Sequence, residues 1–227
     1  MRSTFSVLMA AVLMGTVAVA GCSSAGRHST TVAKIDPDAA FYADTLQQWK
    51  DYGDAIVAAR VTSDRPDPRD SKNPDVNGGL FNRLATLQVT RTFWARDAAH
   101  RPPPHPFTIS VWGWFDKSSG HGTRTPIAVV GNPRLEPGHS YLLVLCLLRK
   151  HWTTVSGGAS VPFDGGVVGH GEWKGRDDKR TQQPAIDRLL GKRASTVQQV
   201  LDSVRLSPLS RRYSDLEPDA RARRLTR

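Results

Sequence analysis

Setting aside an N-terminal leader, the 227-residue chain keeps about 206 residues, enough for one compact domain with short appendages. Its two cysteines allow at most one disulfide, so a core rather than cross-links has to hold that domain together. Thirty-one Lys and Arg against 21 Asp and Glu give a net charge of +10, and 14 basic against 7 acidic residues from Lys174 onward put +7 of it in the last quarter.

Met1-Arg2 opens the chain with a positive charge, Phe5 to Ala20 are uncharged and largely apolar, and Val19-Ala20-Gly21-Cys22 ends the run in small residues and a cysteine. A charged start, an apolar segment and small residues before a cleavage point make a secretory leader. The run is shorter than the roughly 20 apolar residues that span a bilayer comfortably. Val19-Ala20-Gly21-Cys22 resembles the lipobox of bacterial lipoproteins, which implies cleavage after Gly21 and palmitate-type acylation of Cys22. An ordinary cleavage site is the alternative, and it would leave Cys22 as an exposed thiol. Residues 1–21 are therefore expected to be a lipoprotein signal peptide, and 22–35 a small, polar, flexible tether. Acyl chains at about 0.8 kcal/mol per buried CH₂ would hold the protein on the outer face of the cell membrane.

Asp36-Pro37 reads as an N-cap with proline at the first helical position. Tyr42, Leu46 and Trp49 follow at i, i+4 and i+7, so 36–53 is expected to be a helix that stops at Gly53. Asp54 to Thr62 alternates, with Ala55, Val57, Ala59 and Val61 on one face and Arg60 on the other. Ser63 to Asn82, rich in Asp, Arg, Asn and Pro, reads as a long exposed loop. Leu84 to Trp94 is a half-buried strand with Ala85, Leu87, Val89 and Phe93 pointing one way. Ala98 to Pro106, with its Pro102-Pro103-Pro104 run, makes a stiff surface loop. Phe107 to Phe115 is the next strand and Pro126 to Val130 a short one. Glu136-Pro137-Gly138-His139 suits a type II turn. Tyr141 to Leu148 is apolar on both faces and is the most buried strand. Lys150 to Val155 returns antiparallel to it, and Gly165 to Val168 is a short last strand. The barrel is thus expected over 54–173.

Residues 182–205 are expected to form two short helices, one carrying Ile186, Leu189 and Leu190 up to Gly191. The other opens on a Ser195/Gln198 capping box and carries Val197, Val200, Leu201 and Val204. No periodicity survives after Pro208, so 206–227 reads as a basic, disordered tail. Its arginines suit anionic lipid headgroups or cell-wall polymers, or simply solvent. The Arg, Asp, Ala, Gly, Pro and Val content matches the coding bias of a GC-rich actinobacterial genome.

Five or six unevenly spaced strands with helices at both ends predict a mainly β fold, an antiparallel barrel or sandwich. The strands at Ala55–Val61, Ala85–Trp94 and Phe107–Val111 are followed by Leu135-Glu136-Pro137-Gly138-His139-Ser140-Tyr141-Leu142-Leu143. In this order they resemble the OB-like barrel of tissue inhibitors of metalloproteinases and netrin-type modules, over roughly residues 53 to 170. The resemblance implies an OB-like barrel and a binding role. It does not carry protease inhibition with it, because those inhibitors need a free N-terminal cysteine fixed by disulfides, whereas Cys22 is expected to be acylated. The chain as a whole is similar to actinobacterial lipoproteins, which implies a location and no activity.

Trp112 and Trp114 form the candidate binding face, since strand alternation places both with Thr108 and Ser110 on a side that can stack on ligands. A helix packing over them is the competing expectation. His121, His139, His151 and His170 fall in loops and strand ends without a metal-ligand spacing, and Ser118-Ser119-Gly120-His121 lacks the setting of a nucleophile elbow. Cys146 lies inside an apolar strand and reads as a small hydrophobe. No catalytic residue, metal or cofactor is assigned. The expected function is therefore a non-enzymatic binding role at the envelope, with the membrane and an envelope protein or anionic polymer as partners and nucleic acid excluded. The alternative is an envelope hydrolase, metal-assisted or serine, built on the His-bearing loops.

Overall fold

The computed structural model describes residues 32–35, 43–69, 79–97, 99–103, 105–115, 124–155, 159–176 and 183–225. Cys22, the Asp36-Pro37 start, Tyr42 and the Ser118–His121 loop lie outside them. The fold is mainly β, a curled half-barrel sheet with short helices against it. Its strands are β1 (Ala33–Ile35), β2 (Ala55–Pro66), β3 (Leu80–Ala95), β4 (Phe107–Phe115), β5 (Thr125–Val129), β6 (Ser140–Leu148), β7 (His151–Thr154) and β8 (Ser160–Pro162). The order across the sheet is β1-β5-β4-β3-β2-β6-β7, and β8 takes the rest of the β6 edge. Apart from the parallel β1–β5 pair, all pairings are antiparallel.

The curl comes from the long β2–β3 hairpin, whose register shifts after Ile56, Ala58 and Val61. Each shift inserts an extra residue, bends the strand and increases its twist. The bend brings β4 against β7 across the concave side. That side holds an inner core of Ala55, Val57, Ala59 and Val61 with Leu87, Ile109, Tyr141, Leu143 and Leu145. The convex side holds an outer core, where Ile56, Ala58, Leu142 and Val144 meet the helices. Tyr141 to Cys146 are buried on both faces, as their unbroken apolar run predicts.

The bulges also redirect side chains that alternation alone misplaces. Phe93 does not continue the Ala85–Leu87–Val89 face; it turns into the outer core and meets Phe163 edge-on at 5.9 Å. At the other end of the hairpin the expected loop is shorter than its composition suggests. β2 runs on to Pro66 and β3 starts at Leu80, so the strands reach into the Ser63–Asn82 segment.

The helices are α1 (Leu46–Tyr52), α2 (Pro184–Leu189), α3 (Ala194–Ser203), α4 (Pro208–Arg212) and α5 (Pro218–Leu225). α1 starts later than expected, because Thr45 and Gln48 form the capping box and residues 43–45 are not helical. It buries Leu46 and Trp49 and stops at Gly53, where a Cβ would lie 2.5 Å from the Trp49 carbonyl oxygen. Ser195 does not cap α3; the helix begins one residue earlier, and Gln198 donates to the Phe93 carbonyl at 2.9 Å instead. Leu190 falls at the C-cap of α2 and is 51% exposed, so Ala185, Ile186 and Leu189 anchor that helix.

Three further expectations are corrected. Residues 33–35 of the tether pair with β5 as a strand. The expected strand at Gly165–Val168 is instead the end of a 3₁₀ turn, Asp164–Gly166, followed by a single bridge at Val167, and the last strand is Ser160–Pro162. The tail after Pro208 is ordered as α4 and α5, which pack on each other and on β6 and α1. Among the described residues no helix is long and apolar enough to cross a membrane.

Candidate binding cleft

The expected tryptophan face does not exist as one surface. Phe81 pairs with Trp114 and Asn82 with Trp112, so Gly113 is the extra residue of a bulge. Residues opposite each other in a sheet share a face, and Phe81 and Asn82, as neighbours, point to opposite faces. Trp114 is thereby turned inward, where the Arg134 guanidinium lies 5.7 Å from its ring, and Trp112 stays on the outer face. Both rings are half-buried. Gly113 permits the bulge because a Cβ there would sit 2.8 Å from the Phe81 carbonyl oxygen.

One end of the half-barrel is closed by polar groups that satisfy one another. Arg83, fully buried, donates to Asp64 Oδ2 at 2.6 Å, to the Leu135 carbonyl at 3.2 Å, to the Trp112 carbonyl at 3.3 Å and to the Arg134 carbonyl. Burial and the nearby Arg134 charge pull the Arg83 guanidinium below its ordinary range. Arg134 donates to Glu136 at 2.6 Å, to the Gly113 carbonyl at 2.8 Å and to the Ile127 carbonyl at 3.0 Å. Its backbone N–H donates to Glu172 at 2.9 Å. The Tyr141 hydroxyl accepts from the Glu136 N–H at 2.7 Å and donates to Glu172 at 2.9 Å; burial and the Glu172 charge push its pKa up. Burial pulls Glu136 upward, but the bonds from Lys174 and Arg134 outweigh it and leave the carboxyl below its usual range. This end is a plug.

The opposite end is open. The inner face of β6 and β7 continues through the paired Leu147 and Trp152 into a cleft of about 350 Å³. Asp54 and Arg96, just outside β2 and β3, join Leu147 and Trp152 there, and Ser214, Asp215, Leu216, Pro218 and Arg221 cover it. Arg221 donates to Asp54 Oδ1, and the Leu147 N–H donates to Asp54 Oδ2 at 2.9 Å. Arg96 caps the C-terminal end of α1, its Nη2 donating to the carbonyls of Asp51 at 3.0 Å and Gly53 at 3.3 Å and to that of Lys50. Its Nη1 is the one buried side-chain nitrogen or oxygen among the described residues without a hydrogen-bond partner. Burial, with the Arg221 charge adding to it, pulls the Arg96 pKa down to about 10. At the rim Arg101 pairs with Glu217.

Among the described residues the histidines do not gather, and His121 lies outside them. His139 Nδ1 lies 2.6 Å from Asp164 Oδ2, while Asp164 Oδ1 accepts from the Ser140 N–H at 2.7 Å. His151 and His170 are exposed, and among the described residues no three His, Cys, Asp or Glu side chains are grouped to hold a metal. Cys146 is buried in the outer core, and burial, then the Asp54 charge, pushes its thiol up to about 12. Sequence reading missed the cleft because its parts are single charged residues on distant elements. The buried-face spacing Pro218, Arg221, Ala222 and Leu225 was the available signal, hidden by an arginine among the inward positions. No protein-family model, curated protein or solved structure matches the chain.

Proposed function

We propose that this is a binding protein of the cell envelope, attached to the outer face of the membrane through acylated Cys22, with the open end of the half-barrel as its binding site. The observation that carries the reading is the cleft, where guanidinium and carboxylate groups are held in fixed positions beside Leu147 and Trp152. Ligand sites combine an apolar wall with a few placed polar groups in this way. The resemblance of residues 53–170 to netrin-type modules supports the same role.

Two measurements test it together. Cys22→Ala should shift the protein from the membrane fraction to the soluble fraction or block its maturation; unchanged retention argues against acylation there. A photo-crosslinker in place of the exposed rim residue Leu216 should capture an envelope component that Arg101→Ala no longer captures. Capture at background level defeats the binding role.

The hydrolase reading keeps one supporting observation, the His139–Asp164 pair, in which a carboxylate orients an imidazole as a general base requires. It expects a hydrolytic activity toward model esters that falls at least about 100-fold in His139→Ala. Equal rates in the two proteins would remove it.

A further inference from the structure

We propose that the tip of the β6–β7 hairpin and the last turn of α5 form a docking surface for the anionic headgroups of the membrane, carried by Arg149, Lys150, Arg223 and Arg224. The proposal rests on the membrane location proposed above and adds the face that the domain turns toward the bilayer.

The backbone gathers these four residues from two elements. β6 ends at Leu148 and β7 begins at His151, so Arg149 and Lys150 are the whole of the turn between them. Both hold a positive φ, 49° and 65°. The commonest two-residue hairpin turn requires this, and Asn-Gly adopts it with least strain. Here two long cationic side chains occupy the positions instead, and both are exposed. The Arg149 N–H donates to Asp219 Oδ1 at 2.8 Å, which fixes the first turn of α5 beside the hairpin tip. Arg223 stands one helical turn beyond Asp219 on the same stripe, with Arg224 next to it, and both are exposed.

The charge of this surface is one-sided. β6, β7, their turn and α5 contain a single carboxylate, Asp219, and it already accepts from the Arg149 N–H. Arg221 faces inward and is held by Asp54. The side chains of Arg149, Lys150, Arg223 and Arg224 have no hydrogen-bond or ion-pair partner among the described residues. Four solvent-facing cations without a counter-charge favour an anionic surface, and guanidinium forks fit phosphate oxygens.

The position of the anchor favours a lipid headgroup as the source of that charge. Val32, the first described residue, follows Cys22 by ten positions, and a chain of that length reaches at most about 35 Å. An acyl group on Cys22 therefore keeps the domain beside the leaflet, where contacts that are weak alone act at a high effective concentration. Each basic residue near an anionic leaflet strengthens attachment about fivefold.

The test places the acylated full chain on vesicles of phosphatidylcholine, alone or mixed with phosphatidylglycerol that carries a photoactivatable headgroup crosslinker. Crosslinks are expected at residues 149–151 and 223–225. Their yield should fall about tenfold or more in Arg149→Asn/Lys150→Gly and in Arg223→Gln/Arg224→Gln. About 1 M salt, where the screening length is about 3 Å, should suppress them likewise. The turn variant installs the residues that this turn favours, so its melting temperature should equal or exceed that of the parent. Crosslinks spread over other faces, or yields indifferent to both variants and to salt, overturn the proposal. Retention of the chain on a polyphosphate resin through these four residues, without headgroup crosslinks, also overturns it and assigns the patch to a soluble polyanion. Flotation with phosphatidylcholine alone reads the anchor and crosslinking reads the patch, so failure of one is distinguishable from failure of the other.

Discussion

Arg83→Met should destabilise the protein by about 3 kcal/mol, seen as a fall of roughly 6–12 °C in the melting temperature of a domain this size. Methionine fills much of the same volume, so the loss is one of hydrogen bonds rather than of packing. The guanidinium serves Asp64 and the carbonyls of Trp112, Arg134 and Leu135 from a fully buried position. Without it, backbone oxygens inside the plug lose a donor that water cannot easily replace, and each buried orphan costs about 1–3 kcal/mol. Asp64 adds less, because its side chain is 24% exposed and can recruit water. Leu135 is the sensitive point: it holds a φ of 61°, a conformation unfavourable for leucine, between carbonyls that Arg83 ties down. Adding Asp64→Ala to Arg83→Met should therefore recover little of the loss. A melting temperature within about 2 °C of the parent would show that the plug is held by Arg134, Glu172 and Tyr141 without Arg83.

How far the sequence speaks for this fold depends on what each position buries. β6 was legible because burial on both faces demands an unbroken apolar run, and Tyr141–Leu148 supplies one. The inner face of β2 was legible because Ala55, Val57, Ala59 and Val61 keep a strict period of two. Alternation failed at Phe93 and at Trp112–Gly113–Trp114 for one shared reason. A bulge inserts a residue and inverts the faces beyond it, and nothing in a hydrophobic pattern records the insertion. Gly113 carried a trace of it, as a glycine inside an otherwise good strand.

The polar ends of the half-barrel were illegible for a different reason. Arg83, Arg96, Arg134 and Arg221 are each less than a tenth exposed, and pattern reading assigns arginine to solvent. Their partners are carbonyls and carboxylates brought from elements far apart in the chain, such as Asp54 and Arg221 across 167 positions. A buried arginine is stable only with its donors met, and that condition belongs to the assembled fold rather than to any local stretch. The same blindness turned α4 and α5 into an expected tail.

Arg221→Met tests what holds those two helices down. α5 turns Pro218 and Arg221 inward and keeps Asp219, Ala220 and Ala222 half-covered, while Arg223 and Arg224 face solvent. So little apolar area is buried that the ion pair to Asp54 must contribute much of the docking energy. Removing one partner of a buried pair costs about 3–5 kcal/mol if the other stays buried. Here the molecule has a cheaper route, which is to lift α4 and α5 and let water reach Asp54. The expected response is therefore local opening with the sheet intact. Amide exchange over residues 208–225 should accelerate about 100-fold or more, while β2, β3 and β6 keep their protection. Cys146 reports the same event chemically. Its thiol lies under α5, beside Pro218, Ala222 and Leu225, where burial keeps it protonated and shielded. Lifting the helix restores both access and a lower pKa, so alkylation of Cys146, identified by peptide mapping, should rise at least tenfold in the variant. Parent-like labelling together with parent-like exchange would mean that the few apolar contacts of α5 suffice, and that the Asp54–Arg221 pair adds little to its docking.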